Sequence, residues 1–219
     1  MNIINFRFFL KLILTFGFAW HDLNASGQGN LQEFSKSLLK TKTGALIVYN
    51  SQTRGFSVQV RADSIRSLDQ SDFMELDGML FQATLIPIPI EQPIDTLDQE
   101  QQRAVLKGYL TSELKYFRDE EHIAYANIKT VYLTLGGHLF LRWSFDVVPG
   151  EASGGKRQAR GQVYYSAVVF NQVLDLNTPL LRRADTFAGC NALLQKVART
   201  LFLSRAPIDL EQKYAELNQ

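Results

Sequence analysis

The sequence predicts a single-domain α+β fold: an antiparallel β-sheet built of hairpins, with two long helices and a short N-terminal helix packed on it. Three observations lead to that class. Strand-like apolar runs come in pairs joined by two to four turn-forming residues, and connections that short impose antiparallel pairing. Long helical periodicities fall between the pairs rather than after each strand, which excludes a doubly wound parallel sheet. No repeat period recurs, and no linker separates two regions that each own a core.

Residues 1–27 are set aside first as a secretory signal peptide. Arg7 and Lys11 form a basic opening, Leu12 to Trp20 is an uncharged apolar run, and Ala25-Ser26-Gly27 supplies the small residues that signal peptidase requires. The apolar run is too short for a bilayer crossing, which takes about 20 residues, so cleavage before Gln28 is expected, with no stable membrane insertion afterwards. The only cysteine, Cys190, lies far from that junction, so N-terminal lipidation is not expected. Removing Arg7, Lys11 and Asp22 with the leader takes 23 basic and 22 acidic side chains to 21 of each. A neutral balance provides no footprint for nucleic acid or for an anionic membrane surface. The mature chain is long enough to bury roughly 70% of its unfolded surface in one core, and a single cysteine allows no internal disulfide.

The globular domain is placed at residues 28–206. Leu31, Phe34, Leu38 and Leu39 recur at helical spacing and predict the short opening helix over 30–42. The runs ALIVYN and GFSVQVRA then form a hairpin across residues 51–54. A second hairpin turns at Asp77-Gly78, a pair that tolerates the positive φ angles of a type I′ turn. Pro87, Pro89 and Pro93 end the pairing. Thr96 with Gln99 resembles a capping box, opening a helix over 97–118 whose apolar stripe is Val105, Leu106, Tyr109, Leu110, Leu114 and Phe117.

Two strands at 126–135 and 138–148 follow, joined by Gly136-Gly137, with Leu139, Leu141, Trp143, Phe145 and Val147 alternating onto one face. Residues 149–161, rich in glycine and polar side chains, read as a mobile surface loop. GQVYYSAVVF and VLDL pair around Asn171-Gln172, and Asp185 or Thr186 caps the last long helix, whose stripe is Phe187, Cys190, Leu194, Val197 and Leu201. Residues 207–219 read as a polar C-terminal tail.

Tyr49, Gly55-Phe56-Ser57-Val58, Tyr164-Tyr165 and the segment from Asp185 to Ser204 together resemble the PsbP-like fold family. In that family a glycine-phenylalanine hairpin opens an antiparallel sheet and a long helix closes the chain. Where the family usually carries proline-tryptophan after the first hairpin, this sequence has Ala62-Asp63. The resemblance implies an accessory or binding protein rather than an enzyme, and carries no binding residue onto a numbered position.

Catalytic and cofactor motifs are weak. Cys190 with His122 or His138 is the pairing a cysteine hydrolase would need, but Cys190 sits on an apolar helical stripe, where free cysteine behaves as a small hydrophobe. The mature chain has two histidines and neither belongs to an HxH or HExxH pattern, so no metal is expected. Gly154-Gly155-Lys156 lacks the rest of a phosphate loop. Asp119, Glu120, Glu121 and His122 follow a helix and read as a solvated charge run. No cofactor is assigned.

The most suggestive feature is a face. Opposite Leu139, Leu141 and Trp143 the same strand presents His138, Phe140, Arg142 and Ser144, and Tyr132 and Tyr164 are expected to join them across the sheet. Aromatic and arginine side chains supply contact area and directed hydrogen bonds at low entropic cost, so this is the candidate binding face; a helix packed over it would instead make Phe140 core. The expected function is an exported, periplasmic or secreted, non-enzymatic accessory or binding protein with a protein, peptide or glycan partner. Two alternatives stay open: an envelope hydrolase with a Cys190- or carboxylate-based site assembled from separate strands, and a structural subunit of an envelope complex.

Overall fold

The computed structural model describes residues 34–68, 72–88, 97–149 and 159–218. Within them the fold is α+β, one domain of two antiparallel sheets and three helices. The first sheet has the order β1-β2-β3-β11, from β1 (Ser35–Thr41), β2 (Gly44–Asn50), β3 (Gly55–Arg61) and β11 (Phe202–Ser204). The second runs β4-β5-β6-β10-β9-β8-β7. Its strands are β4 (Ile65–Ser67), β5 (Phe73–Leu76), β6 (Met79–Pro87), β7 (Tyr125–Leu135), β8 (His138–Val147), β9 (Gly161–Val169) and β10 (Gln172–Pro179). The helices are α1 (Gln99–Asp119), α2 (Phe187–Ala198) and α3 (Leu210–Asn218).

The seven-stranded sheet is covered on both faces. One face packs against the four-stranded sheet and α2, where Ile47, Tyr49, Phe56 and Val58 meet Phe81, Phe140, Tyr165 and Leu176, with Cys190, Leu194 and Val197 from the helix. The other face packs under α1, where Leu106, Tyr109 and Phe117 meet Leu141, Trp143, Phe145 and Tyr164. The Tyr49 hydroxyl and the Lys36 ammonium both donate to the Ala83 carbonyl, at 3.0 and 3.1 Å, tying the two sheets together.

Local chemistry explains the turns. Asp77 and Gly78 adopt φ of 47° and 80°, and Gly136 and Gly137 adopt 57° and 85°, as the type I′ geometry demands. At Gly136 a Cβ would stand 2.5 Å from the Arg199 carbonyl oxygen, so the turn also needs glycine for space. The β9–β10 turn sits one residue earlier than expected, at Phe170-Asn171. Phe170 takes a left-handed φ of 52°, a conformation that costs a bulky residue free energy. It packs there against Phe34 at 5.9 Å between ring centroids.

Several expectations are corrected. Residues 35–41 form β1 rather than a helix. Phe34 and Leu38 pack on the inter-sheet core while Leu39 packs on the opposite face with Leu46 and Ile208. With both faces covered, the strand lost the period-two alternation that identifies a half-buried one. The single expected sheet is two, and the helix expected at the N-terminus is replaced by α3 at the C-terminus. Leu210 and Leu217 of α3 pack on Leu46 and Val48, so the segment read as a polar tail carries a packed helix.

The capping box of α1 belongs to Asp98 and Gln101, each side chain accepting from the other's backbone N–H at 2.9 Å. Thr96 lies outside the described residues, as do the expected signal peptide at 1–27 and residues 150–158 of the expected loop. The last long helix stops at Ala198, and Leu201 reaches the core from the turn that leads into β11. Thr186 is its N-cap, accepting from the Gly189 N–H at 3.0 Å.

Candidate functional site

The pleat of β8 divides the expected binding residues. His138, Phe140, Arg142, Ser144 and Asp146 point to the α2 side, while Tyr132 pairs with Leu141 and Tyr164 with Trp143 on the α1 side. Phe140 is 0% exposed, sealed between the seven-stranded sheet and α2. Tyr164 is buried and stacked on the Trp143 indole at 3.8 Å. Tyr132 donates its hydroxyl to the Arg103 carbonyl at 3.1 Å. His138 lines a separate cleft of about 270 Å³ with Gln102, Phe170, Leu203 and Arg205. Burial lowers its pKa, and the nearby Leu201 backbone acts weakly in the opposite sense. The five residues therefore occupy four different places.

Arg142 is the member left facing an opening. It lines a cleft of about 240 Å³ with Ser144, Asn127, Lys129, Asp146, Val163 and, from α2, Phe187, Ala188 and Asn191. One wall exists because Gly161 lets α2 come close: a Cβ there would stand 2.6 Å from the Phe187 ring and 2.7 Å from the Phe145 carbonyl oxygen. The start of α2 is fixed from below by Asp185, which is buried and accepts from the backbone N–H groups of Leu181 and Arg182 at 3.1 and 2.7 Å. Arg160 adds a bond to the Asp185 carbonyl at 2.7 Å.

Inside the cleft Arg142 Nη1 donates to Asn191 Oδ1 at 3.3 Å, and the Tyr165 hydroxyl donates to the same oxygen at 2.8 Å. The guanidinium is oriented by neutral groups, and no carboxylate pairs with it among the described residues. Asp146, also in the lining, is engaged by Asn127 Nδ2 at 2.7 Å. Asn127 opens a bulge: Ala126 pairs with Asp146 and Lys129 with Ser144, leaving one extra residue on β7 and Asn127 at φ 54°. Bulges of this kind re-aim side chains. Here Lys129 is brought opposite Ser144, diagonal to Arg142 and on the same face.

A second polar cluster is closed. Under α1, Glu113 and Asp175 are buried beside Tyr109 and Tyr164. Asp175 Oδ1 accepts from Ser166 Oγ at 2.6 Å and Oδ2 from Asn177 Nδ2 at 3.1 Å, while Ser166 Oγ accepts from the Trp143 indole N–H at 3.1 Å. Desolvation raises the Asp175 carboxyl from 3.8 to about 6. It raises Glu113 as well, with the neighbouring Asp175 charge adding to the effect. Glu113 Oε2 and the Tyr109 hydroxyl are buried with no hydrogen-bond partner among the described residues.

Neither carboxylate lines either cleft. Cys190 is 0% exposed and burial raises its thiol. Among the described residues no three His, Cys, Asp or Glu side chains gather in a metal-binding group, and no helix is long and apolar enough to cross a membrane.

Sequence reasoning passed over Lys129, Asn191, Glu113 and Asp175. Two of them left a trace. Glu113 falls on the apolar stripe of α1, and Asp175 interrupts the strand run VLDLN; a charge in such a place marks a buried polar site.

No protein-family model matches the chain, and no curated protein matches it. Among solved structures it is similar to the solution structure of cyanobacterial PsbP from Synechocystis sp. PCC 6803. The likeness covers 83% of this chain and 99% of that one at 13% identity and a TM-score of 0.38, a weak resemblance at the level of the fold.

Proposed function

We propose that the chain is an exported, non-enzymatic accessory protein that holds a protein partner at the cleft between β7, β8 and α2. The observation that carries this reading is Arg142, an arginine aimed into an opening by Asn191 and without a carboxylate partner among the described residues. Charged-group desolvation is costly unless a partner compensates, and arginine is enriched where proteins recognise one another. Export rests on the leader pattern around Arg7, Lys11 and Ala25-Ser26-Gly27. The hydrolase alternative lacks comparable support, since a nucleophilic cysteine needs access and a lowered pKa, whereas Cys190 is buried and raised.

The test is site-specific photocrosslinking in cells that express the full chain. A crosslinker replacing Phe187, 36% exposed on the cleft wall, should trap one partner that Arg142→Ala releases. The same crosslinker at Tyr214 on α3 serves as the control. Equal capture at both positions, or capture indifferent to Arg142→Ala in a folded protein, would sink the reading.

A further inference from the structure

Beside the cleft runs the longest outermost strand of either sheet. β7 ends the seven-stranded order, and no other described strand pairs with its outer side. From Lys129 to Leu135 its pairing with β8 is unbroken, a stretch of about 23 Å at strand spacing. Such an edge is a row of unpaired N–H and C=O groups that another extended chain can complete. The bulge at Asn127 and Ile128 ends that row, with Ile128 42% exposed beside it.

Charge selects the occupant. Lys129 stands on the edge itself and Arg142 on the adjoining strand of the same face. On the opposite face the Arg103 guanidinium lies 4.6 Å over the Tyr132 ring. None of the three cations forms an ion pair among the described residues. The one carboxylate in the cleft lining, Asp146, is occupied by Asn127.

An added strand presents its side chains alternately to the two faces, so cations on both faces of one edge fit a segment with acidic residues on both. We infer that the outer edge of β7 accepts an extended acidic segment of the partner protein as an additional strand, with carboxylates near Lys129 and Arg142 on one face and near Arg103 on the other. This rests on the binding reading proposed above and names the chemistry of the partner.

The probe is a library of random twelve-residue peptides displayed on phage, selected against the mature wild-type protein and, separately, against the Lys129→Ala/Arg142→Ala double variant after its fold is confirmed by circular dichroism. Selection should enrich proline-free peptides rich in Asp and Glu, and the variant should lose at least tenfold in affinity for them. The enriched peptide should slow hydrogen exchange of the β7 amides that face away from β8. Enrichment of neutral or basic peptides, equal binding to the variant, absence of enrichment, or binding without β7 protection each overturns the inference. If peptides fail while crosslinking from position 187 still traps a partner sensitive to Arg142→Ala, the binding reading survives and only the acidic added strand is lost. In that outcome Lys129 serves merely to repel other edges, the usual task of an edge lysine.

Discussion

The buried carboxylates under α1 should make the protein more stable in mild acid than at neutral pH, against the usual trend. Asp175 is raised from 3.8 to about 6 because desolvation outweighs its bonds from Ser166 and Asn177. The folded state therefore binds its proton more tightly than the unfolded state does. The corresponding stability is fully present below the ordinary aspartate range and is lost as pH rises through about 6. At about 1.4 kcal/mol per pH unit of displacement, Asp175 alone contributes about 3 kcal/mol in strong acid, of which about 2 kcal/mol is lost between pH 4.5 and 7.5. Glu113, displaced in the same direction, adds to the loss.

The surface carboxylates of Asp119 and Glu216, lowered by hydrogen bonds from Arg118 and Lys213, act in the opposite sense. Their effect falls in more acid solution; within this window His138, whose burial-lowered pKa costs stability as pH falls below 6.5, opposes the buried pair without sharing its site. Urea denaturation at pH 4.5, 6 and 7.5 measures the effect. The reporter is Trp143, the one tryptophan after residue 27, whose indole bonds Ser166 and through it Asp175. Glu113→Gln, which removes one titrating group without changing shape, should reduce the fall. A stability that is flat or rises from pH 4.5 to 7.5, or an unchanged slope in Glu113→Gln, would refute the reasoning.

Other outcomes are as definite. Phe140→Ala should destabilise by about 3–5 kcal/mol in thermal and urea unfolding, because it empties a fully packed site. Arg142→Ala, at the cleft, should stay within about 1 kcal/mol of wild type while losing the crosslinked partner. Gly161→Ala should push the Phe187 ring off its strand and cost about 1–3 kcal/mol by overpacking, seen as a lower unfolding midpoint. Cys190 should react with a thiol reagent on the timescale of unfolding rather than at once, as checked by mass spectrometry with and without urea. Intact-mass analysis of the exported protein should find its first residue at Gln28.

Much of the fold was legible because strand alternation and turn chemistry are local. Leu139 through Val147 alternate without a break, and Asp77-Gly78 and Gly136-Gly137 can hardly serve as anything but tight turns, so β5 to β8 fell within a residue or so of their observed bounds. What failed was set by tertiary contacts. β1 lost its alternation because α3 covers one face and the inter-sheet core the other. The division into two sheets depends on how hairpins stack, which no short pattern encodes.

The same limit governs the site. Periodicity correctly grouped His138, Phe140, Arg142 and Ser144 on one side of β8. It carries no information on what lies above each of them. Phe140 is closed by α2, His138 turns toward Leu201, and Arg142 and Ser144 meet the cleft beyond the first turn of α2. Tyr132 and Tyr164 went to the far face because the pairing register, not the residue type, decides which side a cross-strand neighbour shares.

The first sheet is finished by some of the last residues of the chain. β11 pairs with β3, placing Leu203 opposite Phe56, and Asn50 both donates to and accepts from Ile208, at 2.8 Å each way. While a growing chain still lacks those residues, the segment that makes β1 to β3 has no closing strand and its apolar face has no α2 to cover it. Contacts so distant in sequence form slowly. The order of the strands therefore postpones closure of the first sheet until α2 and β11 have been made.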